Sequence, residues 1–403
     1  MNDSRPHIFD LTPPELSALL DEWCMPSFRA KQILEWVYRK HVVDPQAMTN
    51  LSKRDRELLS ENIRWTTGRI IQHQKATDGV QKLLLDWADA PPSTPTFGSN
   101  GLAILGQNDC GSTETQTECV MIPAGGESDP NSTDERFDDE SGDGRPASRL
   151  RRTACISSQI GCPVGCKFCA SGLSGLDGNL TAGQIVEQVW QLGCLPGVID
   201  ADTSTDAKPI TNIVFMGMGE PMANFEQVTR AAKTIMAPWG LGISGRRITI
   251  STVGLPAQIR RLADIELPIT LAISLHAPND EVRKQLIPWA DRVTVDQLLD
   301  AAQYYFQKTR REVTFEYILL RNVNDQAIHA RQLAQIARNI RCNINLIRYN
   351  EVEGLPYERP TADDVHTFQN VLRNAGINAH IRASRGRDIA AACGQLRHEH
   401  AAK

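Results

Sequence analysis

Three cysteines at spacing C-x3-C-x2-C, Cys162, Cys166 and Cys169, stand in the stretch Cys155-Ile-Ser-Ser-Gln-Ile-Gly-Cys162-Pro-Val-Gly-Cys166-Lys-Phe-Cys169. Thiolates this close in a short glycine-containing loop can converge on one metal centre. A closed structural zinc site takes four protein ligands, so three cysteines leave it one short. In a cubane iron–sulfur cluster the same three leave one iron without a protein ligand and open to a substrate. A buried inert thiol would account for any single cysteine, but it accounts poorly for three so close together. Cys155 lies just upstream. A further cysteine, Cys393, sits among small residues in Arg385-Gly-Arg-Asp-Ile-Ala-Ala-Ala-Cys393-Gly-Gln-Leu396. Small neighbours leave room for a bulky partner or a modification, and residue type alone does not separate that reading from a buried thiol.

These groups need a scaffold, and from residue 153 the pattern is α/β. Strand-like runs fall at 153–158, 211–216, 247–252, 269–275, 314–320, 343–348 and 378–383, with helical segments between them. The clearest helix follows Thr181, whose spacing to Gln184 is that of a capping box. Alternating strands and helices imply a parallel sheet with right-handed crossovers, here curved or a partial barrel. In such folds ligands bind at the C-terminal ends of the strands. The polar residues obey that rule. One strand runs into Gly217-Met-Gly219-Glu220-Pro221, where glycines let backbone approach a ligand and Glu220 can accept from an amino group or a ribose hydroxyl. Others end in Ser251-Thr252, Ser274-Leu275-His276 and Arg348-Tyr-Asn350. Each alone could cap a helix; four on one rim favour a ligand site.

Upstream, residues 1–65 read as a small helical domain of RNA-binding type. Thr12 is its first N-cap with Pro13 at the first helical position, and an apolar 3.6-residue period runs through Leu16, Leu19, Leu20 and Trp23 and again from Phe28 through Ile33, Trp36, Val37 and Tyr38. Residues 66–123 are strand-rich, with a hairpin signal at Asp78-Gly79, a short strand at 117–123 and a loop insertion at 91–116. Residues 124–148 form an acidic insertion too poor in apolar residues to pack, and read as disordered. The core then spans 149–396 and a tail 397–403.

The chain has 403 residues, enough for two domains or one large α/β unit, and 41% apolar content suffices for a core. No apolar run is long enough to span a membrane, and the N-terminal MNDSRPHIFDLTPPELSALL has no signal-peptide pattern. Ten cysteines without an export signal argue for a reducing cytoplasm and for metal or catalytic thiols. The net charge of −5 conceals an uneven distribution: residues 124–145 hold eight acids and two arginines, which leaves the remainder at +1. Basic clusters such as Arg246/Arg247, Arg260/Arg261, Lys308/Arg310/Arg311 and Arg382/Arg385/Arg387 are then candidates for phosphate contact.

Taken together, these motifs resemble the RlmN/Cfr family of radical S-adenosylmethionine (SAM) RNA methyltransferases. The resemblance rests on Cys155 through Cys169, with aromatic Phe168 before the last cysteine, and on Gly217-Met-Gly-Glu-Pro221, Ser274-Leu-His276, Phe315-Glu-Tyr with Val323-Asn-Asp325, Tyr349-Asn350 and Asp388-Ile-Ala-Ala-Ala-Cys-Gly-Gln395. It runs from Phe28-Arg-Ala-Lys-Gln-Ile33 to about Leu396, outside the two insertions. Two positions depart from the family pattern: Ala290 stands where Asn is expected and Arg348 where Pro is usual.

The resemblance implies a radical SAM partial (β/α)6-type barrel behind a helical N-terminal domain and a short β-hairpin region. It implies that Cys162, Cys166 and Cys169 hold one [4Fe-4S] cluster, and that Gly219, Glu220, Ser251, Ser274, Leu275, His276 and Asn350 bind SAM. Cys393 would become S-methylated by one SAM, and a second SAM would furnish the radical that activates the methyl group. Glu118 would accept the ring proton, and Cys155 would attack Cys393 to release methyladenine and leave a transient disulfide. The implied substrates are an adenosine, methylated at carbon 2, in the peptidyl-transferase region of 23S rRNA and, for some members, the adenosine 3′ of the tRNA anticodon. An external electron donor and a disulfide reductant are implied, with a monomeric, cytoplasmic enzyme and no membrane partner. Two alternatives stand beside this reading: methylation at adenine carbon 8 with the same thiols, and a noncatalytic zinc-stabilised RNA-binding module.

Overall fold

The N-terminal helices form where their end signals place them. The computed structural model describes residues 5–87, 115–124, 151–173, 175–198 and 208–396. Nearly all of the expected insertions at 91–116 and 124–148, and the tail 397–403, lie outside the described residues. Helix α1 spans Pro13–Glu22, α2 Arg29–Tyr38 and α3 Lys53–Asn62. The Glu15 carboxylate accepts from the N–H and the hydroxyl of Thr12, both at 2.7 Å, which satisfies donors at the start of α1 that have no partner within the helix. Leu16, Leu20, Ile33, Leu34 and Val37 face inward and share one core with the rest of the chain.

Strands β1 (Arg69–Lys75), β2 (Gln81–Asp86) and β3 (Gln116–Pro123) are antiparallel neighbours. Gly79 makes the β1–β2 turn with φ 83°, in the left-handed region open to glycine. Strand β4 (Arg152–Cys155) pairs antiparallel with β3 on one side and parallel with the first barrel strand on the other, so the hairpin strands extend the main sheet rather than standing apart. A two-stranded β5–β6 ribbon (Gln159–Gly161, Leu176–Asn179) comes next. Then helices and strands alternate: α4 (Ala182–Gly193), β7 (Asn212–Phe215), α5 (Phe225–Met236), β8 (Ile248–Thr252), α6 (Pro256–Asp264), β9 (Thr270–Ser274), α7 (Asp280–Leu286), α8 (Val295–Thr309), β10 (Val313–Leu319), α9 (Ala327–Ala337), β11 (Cys342–Arg348), α10 (Ala362–Asn374) and β12 (Ala379–Arg382). The sheet order is β1-β2-β3-β4-β7-β8-β9-β10-β11-β12, parallel from β4 onward. All seven strand runs expected from the sequence are present; the first ends earlier, at Cys155, because the chain turns away there toward the cysteine loop.

This sheet is curved. In a flat one β7 and β12 would lie about 24 Å apart, at about 4.8 Å per strand. Yet Arg382 Nη1, at the end of β12, is 3.7 Å from Met216 Sδ, just past β7. Residues 385–396 then run as a strap back to the opposite edge. The Gly386 N–H donates to Asp78 Oδ2 (2.9 Å), Asp388 Oδ2 accepts from the Thr77 N–H (2.9 Å), and Arg385 reaches both Asp78 and the Pro123 carbonyl.

The helical region is locked to the barrel through Glu187 on α4, which is fully buried. Its carboxylate accepts from the Thr67 N–H and hydroxyl, the Gly68 N–H and Gln191 Nε2, and lies 3.0 Å from His7 Nε2. Burial alone would raise its pKa, but the hydrogen bond and charge of His7 and the two backbone donors outweigh burial and hold it below the usual carboxylate range.

Candidate active site

Cys162, Cys166 and Cys169 occupy the loop that joins β5 to β6. Glycines shape its base. Gly161 has φ 71°, and a Cβ there would fall 2.0 Å from the Gly175 carbonyl oxygen, which accepts from the Cys162 N–H at 2.6 Å. The Cys169 N–H donates to the Cys166 carbonyl (3.1 Å) and the Lys167 N–H to Leu286 (2.9 Å). Burial raises all three thiol pKa values; the charge of Cys169 adds to this at Cys162 and Cys166, so the sulfurs share one neighbourhood. Among the described residues no three thiol, imidazole or carboxylate groups close on one point as a single metal ion requires. Three sulfurs serving three different irons of a [4Fe-4S] cluster need no such convergence, and an all-thiol donor set on one loop fits that cluster. Phe168 packs edge-on against His276, 5.0 Å between ring centres, and ties the loop to the rim.

The rim residues gather at the C-terminal ends of the parallel strands. Gly219 has φ 101°, and a Cβ would sit 2.7 Å from Gln159 Cβ, so the turn after β7 lies against β5. Glu220 is buried; its oxygens accept from the Met222 N–H (2.9 Å) and the Val253 N–H (2.7 Å), and desolvation pushes its pKa up to about 7. The Thr252 side chain bonds it as well, so Glu220 staples two rim turns. Ser251 and Ser274 hydroxyls are 3.3 Å apart. The Leu275 and His276 N–H groups both reach the Glu316 carbonyl, at 3.1 and 3.2 Å. His276 Nδ1 accepts from the Ile318 N–H at 3.0 Å. Burial, and then the charge of Arg283, push its pKa down to about 3, so the neutral ring carries its proton on Nε2. Asn350 Nδ2 donates to the Cys393 carbonyl at 3.3 Å.

The strap delivers Cys393 to this rim. Gly394 accepts from the Ala170 N–H (2.8 Å), Leu396 from the Ser171 hydroxyl (2.6 Å), and Ala390 from Lys82 Nζ (3.3 Å). Cys155 ends β4 inside a small apolar cluster with Val120, Met218 and Ala391. Burial, then the neighbouring Cys393, push its pKa up to about 12, opposed by Arg382 and by the Met216 N–H, which donates to its sulfur. Glu118 reaches the same place by register. Because β3 is antiparallel to β4 and Val120 pairs with Cys155, Glu118 lies beyond the end of β4, and its carbonyl accepts from the Ser157 hydroxyl at 2.6 Å. Its carboxylate forms a buried ion pair with Lys82, 2.7 Å apart.

Sequence reasoning gives no role to Lys82 or Arg283, and meets Glu316 only within a motif; Lys82 meets Glu118 36 residues on and Glu316 meets Asn345 29 residues on, so neither pairing leaves a local signal. Arg283 is fully buried and donates to the carbonyls of Leu275, Val293 and Val253. Arg382 was visible only as one of a basic cluster. Two other candidate phosphate contacts are engaged within the protein: Arg260 with Asp300 and Arg261 with Glu226.

An arc of parallel strands with a three-cysteine loop at its C-terminal rim defines a radical SAM enzyme, and comparison with known proteins agrees. A family model of the radical SAM superfamily matches residues 156–334, and one of the ribosomal RNA large subunit methyltransferase N-terminal domain matches residues 7–64. The chain is 37% identical to the dual-specificity RNA methyltransferase RlmN of Bdellovibrio bacteriovorus, covering 97% of this chain and 83% of that one. It is 38% identical to the probable dual-specificity RNA methyltransferase RlmN of Rhodopirellula baltica, covering 97% and 90%. A radical SAM methyltransferase from Sphaerobacter thermophilus superposes with a TM-score of 0.80 at 36% identity, over 97% of this chain and 99% of that one. The chain belongs to the RlmN family of radical SAM RNA methyltransferases. No helix among the described residues is long and apolar enough to cross a membrane.

Proposed function

We propose that this enzyme methylates carbon 2 of an adenosine in 23S rRNA and of the adenosine 3′ of the anticodon in tRNA, consuming two SAM molecules per turnover. The observation that carries the reading is the meeting of Cys155 and Cys393 beside the cysteine loop, although one ends β4 and the other rides on the C-terminal strap. Carbon 2 of adenine is electrophilic, so a methyl cation equivalent does not add to it. When bound at Cys162, Cys166 and Cys169, the cluster supplies the electron that splits SAM into methionine and a carbon radical able to abstract hydrogen from a methyl group. The residues of this chain do the remainder. Cys393 receives the methyl group on sulfur, and Asn350 fixes its backbone. Gly219, Glu220, Ser251, Ser274, Leu275, His276 and Asn350 form the SAM berth. Glu118, held by Lys82, takes the ring proton. Cys155 attacks the Cys393 sulfur, freeing methyladenine and leaving a disulfide that an external thiol reduces. The target base leaves its stack to enter the rim, which suits loop RNA.

The test is anaerobic turnover with deuteromethyl-SAM, a reductant and protein-free 23S rRNA or tRNA, followed by digestion and mass spectrometry against 2-methyl- and 8-methyladenosine standards. 2-Methyladenosine from both RNAs is expected. 8-Methyladenosine would move the chemistry to the other carbon, and unlabelled RNA from cluster-loaded enzyme would refute the proposal.

A further inference from the structure

Arg283 is a buried charge to which the chemistry above gives no task. Its side chain, on α7, is fully buried, and desolvation pushes its pKa down only to about 10, so it stays a cation at neutral pH. The guanidinium donates to the carbonyls of Val253 (2.6 Å), Leu275 (3.3 Å) and Val293 (3.3 Å). Carbonyl dipoles satisfy its N–H groups but bring no net charge. Among the described residues no carboxylate closes an ion pair with it. Asp280, one turn earlier on α7, directs Oδ1 at the Val295 N–H instead, at 2.7 Å. A buried cation without a counter-anion is strongly destabilising, so this position calls for an anion. The cysteine loop stands where that anion is needed. The Lys167 N–H, next in the chain to Cys166, donates at 2.9 Å to the carbonyl of Leu286, one turn along α7 from Arg283. Phe168 packs 5.0 Å from the ring of His276, the neighbour of Leu275. A Cβ on Gly165 would fall 3.9 Å from Pro288 Cγ, just past α7. Residues on both sides of Cys166 are thus pinned to the segments that enclose the guanidinium.

We propose that Arg283 is the buried counter-cation of the three-cysteine loop, offsetting the negative charge of the cluster held there and raising its reduction potential. This rests on the reading of Cys162, Cys166 and Cys169 as cluster ligands. Three thiolates outweigh the positive charge of an iron–sulfide core, so the liganded site is anionic, and its potential follows the net charge around it. In the step concerned one electron passes from an external one-electron donor to the cluster. The donor is oxidised, the cluster is reduced, and the site becomes more negative by one unit. A fixed cation favours the more negative form. A unit charge acting across about 10 Å of protein interior shifts such an equilibrium about tenfold. Held by carbonyls from three separate turns, the guanidinium cannot relax away from the site. The same arrangement leaves the loop's charge as the anion that Arg283 lacks within the protein.

The experiment is a mediator-coupled potentiometric titration of anaerobically reconstituted holoenzyme, read by the electron paramagnetic resonance of the reduced cluster, with iron and sulfide counted in every sample. At pH 7 and a fixed potential, Arg283→Gln, which keeps donors for the carbonyls, should lower the ratio of reduced to oxidised cluster about tenfold, or about 59 mV for one electron. Arg283→Lys loses the forked hydrogen bonds but keeps the charge, and should stay within about threefold of wild type. An ammonium loses its proton more readily than a guanidinium, so the gap between the Lys variant and wild type should widen toward about tenfold by pH 9.5. A Gln variant with an unchanged midpoint, or Gln and Lys variants displaced alike at pH 7, overturns the proposal. If the Gln variant binds too little iron to titrate, the Lys variant decides alone: a gap that does not widen with pH overturns it. Wild-type protein that takes up no iron and sulfide refutes the cluster reading instead, and the metal count shows this before any potential is measured.

Discussion

Replacing Lys82 by Met tests whether the Glu118 carboxylate depends on its buried partner. Both side chains are about 95% buried and lie 2.7 Å apart. Met preserves most of the aliphatic stem, so the change removes charge more than packing. Removing one partner of a buried ion pair costs about 3–5 kcal/mol, because the other charge stays uncompensated. The loss has a ceiling. Glu118 can always take a proton, and keeping an ordinary glutamic acid neutral at pH 7 costs about 3.7 kcal/mol. The expected loss of unfolding free energy at pH 7 is therefore about 3–4 kcal/mol. Its pH dependence has a definite sign: the variant's folded state holds a proton that its unfolded state releases above about pH 4.3. The deficit against wild type should shrink by about 1.4 kcal/mol for each pH unit from 7 toward 5. Adding Glu118→Gln removes the stranded charge and should recover at least half of the loss. Urea unfolding of the three apoproteins at pH 7 and 5 reads these differences. The same variant should turn over about 10²-fold more slowly or worse, since its proton acceptor arrives already protonated. A Lys82→Met protein within about 1 kcal/mol of wild type at pH 7, or a deficit unchanged at pH 5, would refute the coupling.

Other expectations come from the same contacts. Cys155→Ala should trap a covalent RNA–protein adduct, visible as an RNA-shifted band on a denaturing gel; free product from normal turnover would sink its assignment as the resolving thiol. Gly161→Ala places a methyl group 2.0 Å from the Gly175 oxygen at positive φ, so the cysteine loop should fail to close. Iron and sulfide bound after reconstitution should fall to a small fraction of wild type while the helical circular dichroism persists. Glu187→Ala strands the donors of Thr67 and Gly68 and should cost about 3–5 kcal/mol in urea unfolding. Since the folded pKa of Glu187 is lowered, its contribution is present at neutral pH and declines as pH falls from the ordinary carboxylate range through the folded value; the gap between wild type and Glu187→Gln should close there.

The parts of this fold that sequence makes legible are those encoded within a few residues. The Thr181/Gln184 capping box forms as read, with the Thr181 N–H donating to Gln184 Oε1 at 2.9 Å. The Asp78-Gly79 turn joins β1 to β2, and the seven β-branched runs become strands because alternation with helices leaves few other ways to bury them. The C-x3-C-x2-C loop is legible for the same reason, as a contiguous chemical pattern. The inner electrostatics are not. Lys82 and Glu118 meet only through the β2–β3 register, where Leu84 pairs with Glu118 and Lys82 with Val120. Arg382 looks from sequence like a phosphate contact beside Arg385 and Arg387, but only sheet curvature turns it toward Met216 and Glu316. Glu220 is expected from sequence to meet a ligand; its hydrogen bonds with Met222, Val253 and Thr252 reflect a turn geometry that composition does not encode. Of the family departures, Arg348 donates to the Pro360 carbonyl at 2.8 Å and Ala290 is buried; nothing in the structure explains why Asn is absent at the latter.

The strap has a consequence for how the chain acquires its final form. The Gly386–Asp78 bond joins residues 308 positions apart. Closing so long a loop carries an entropy penalty that only a few hydrogen bonds offset, so this contact is expected among the last to form and the first to open. A folding chain therefore passes through a stage in which the barrel and the cysteine loop exist while Cys393 is still remote. At that stage Ala170 and Ser171, later covered by Gly394 and Leu396, are open, and iron and sulfide have access to the three ligands. Seating the strap then brings Cys393 beside Cys155. On the assignment proposed above, this order would keep Cys155 and Cys393 apart until the loop has met its inorganic cargo.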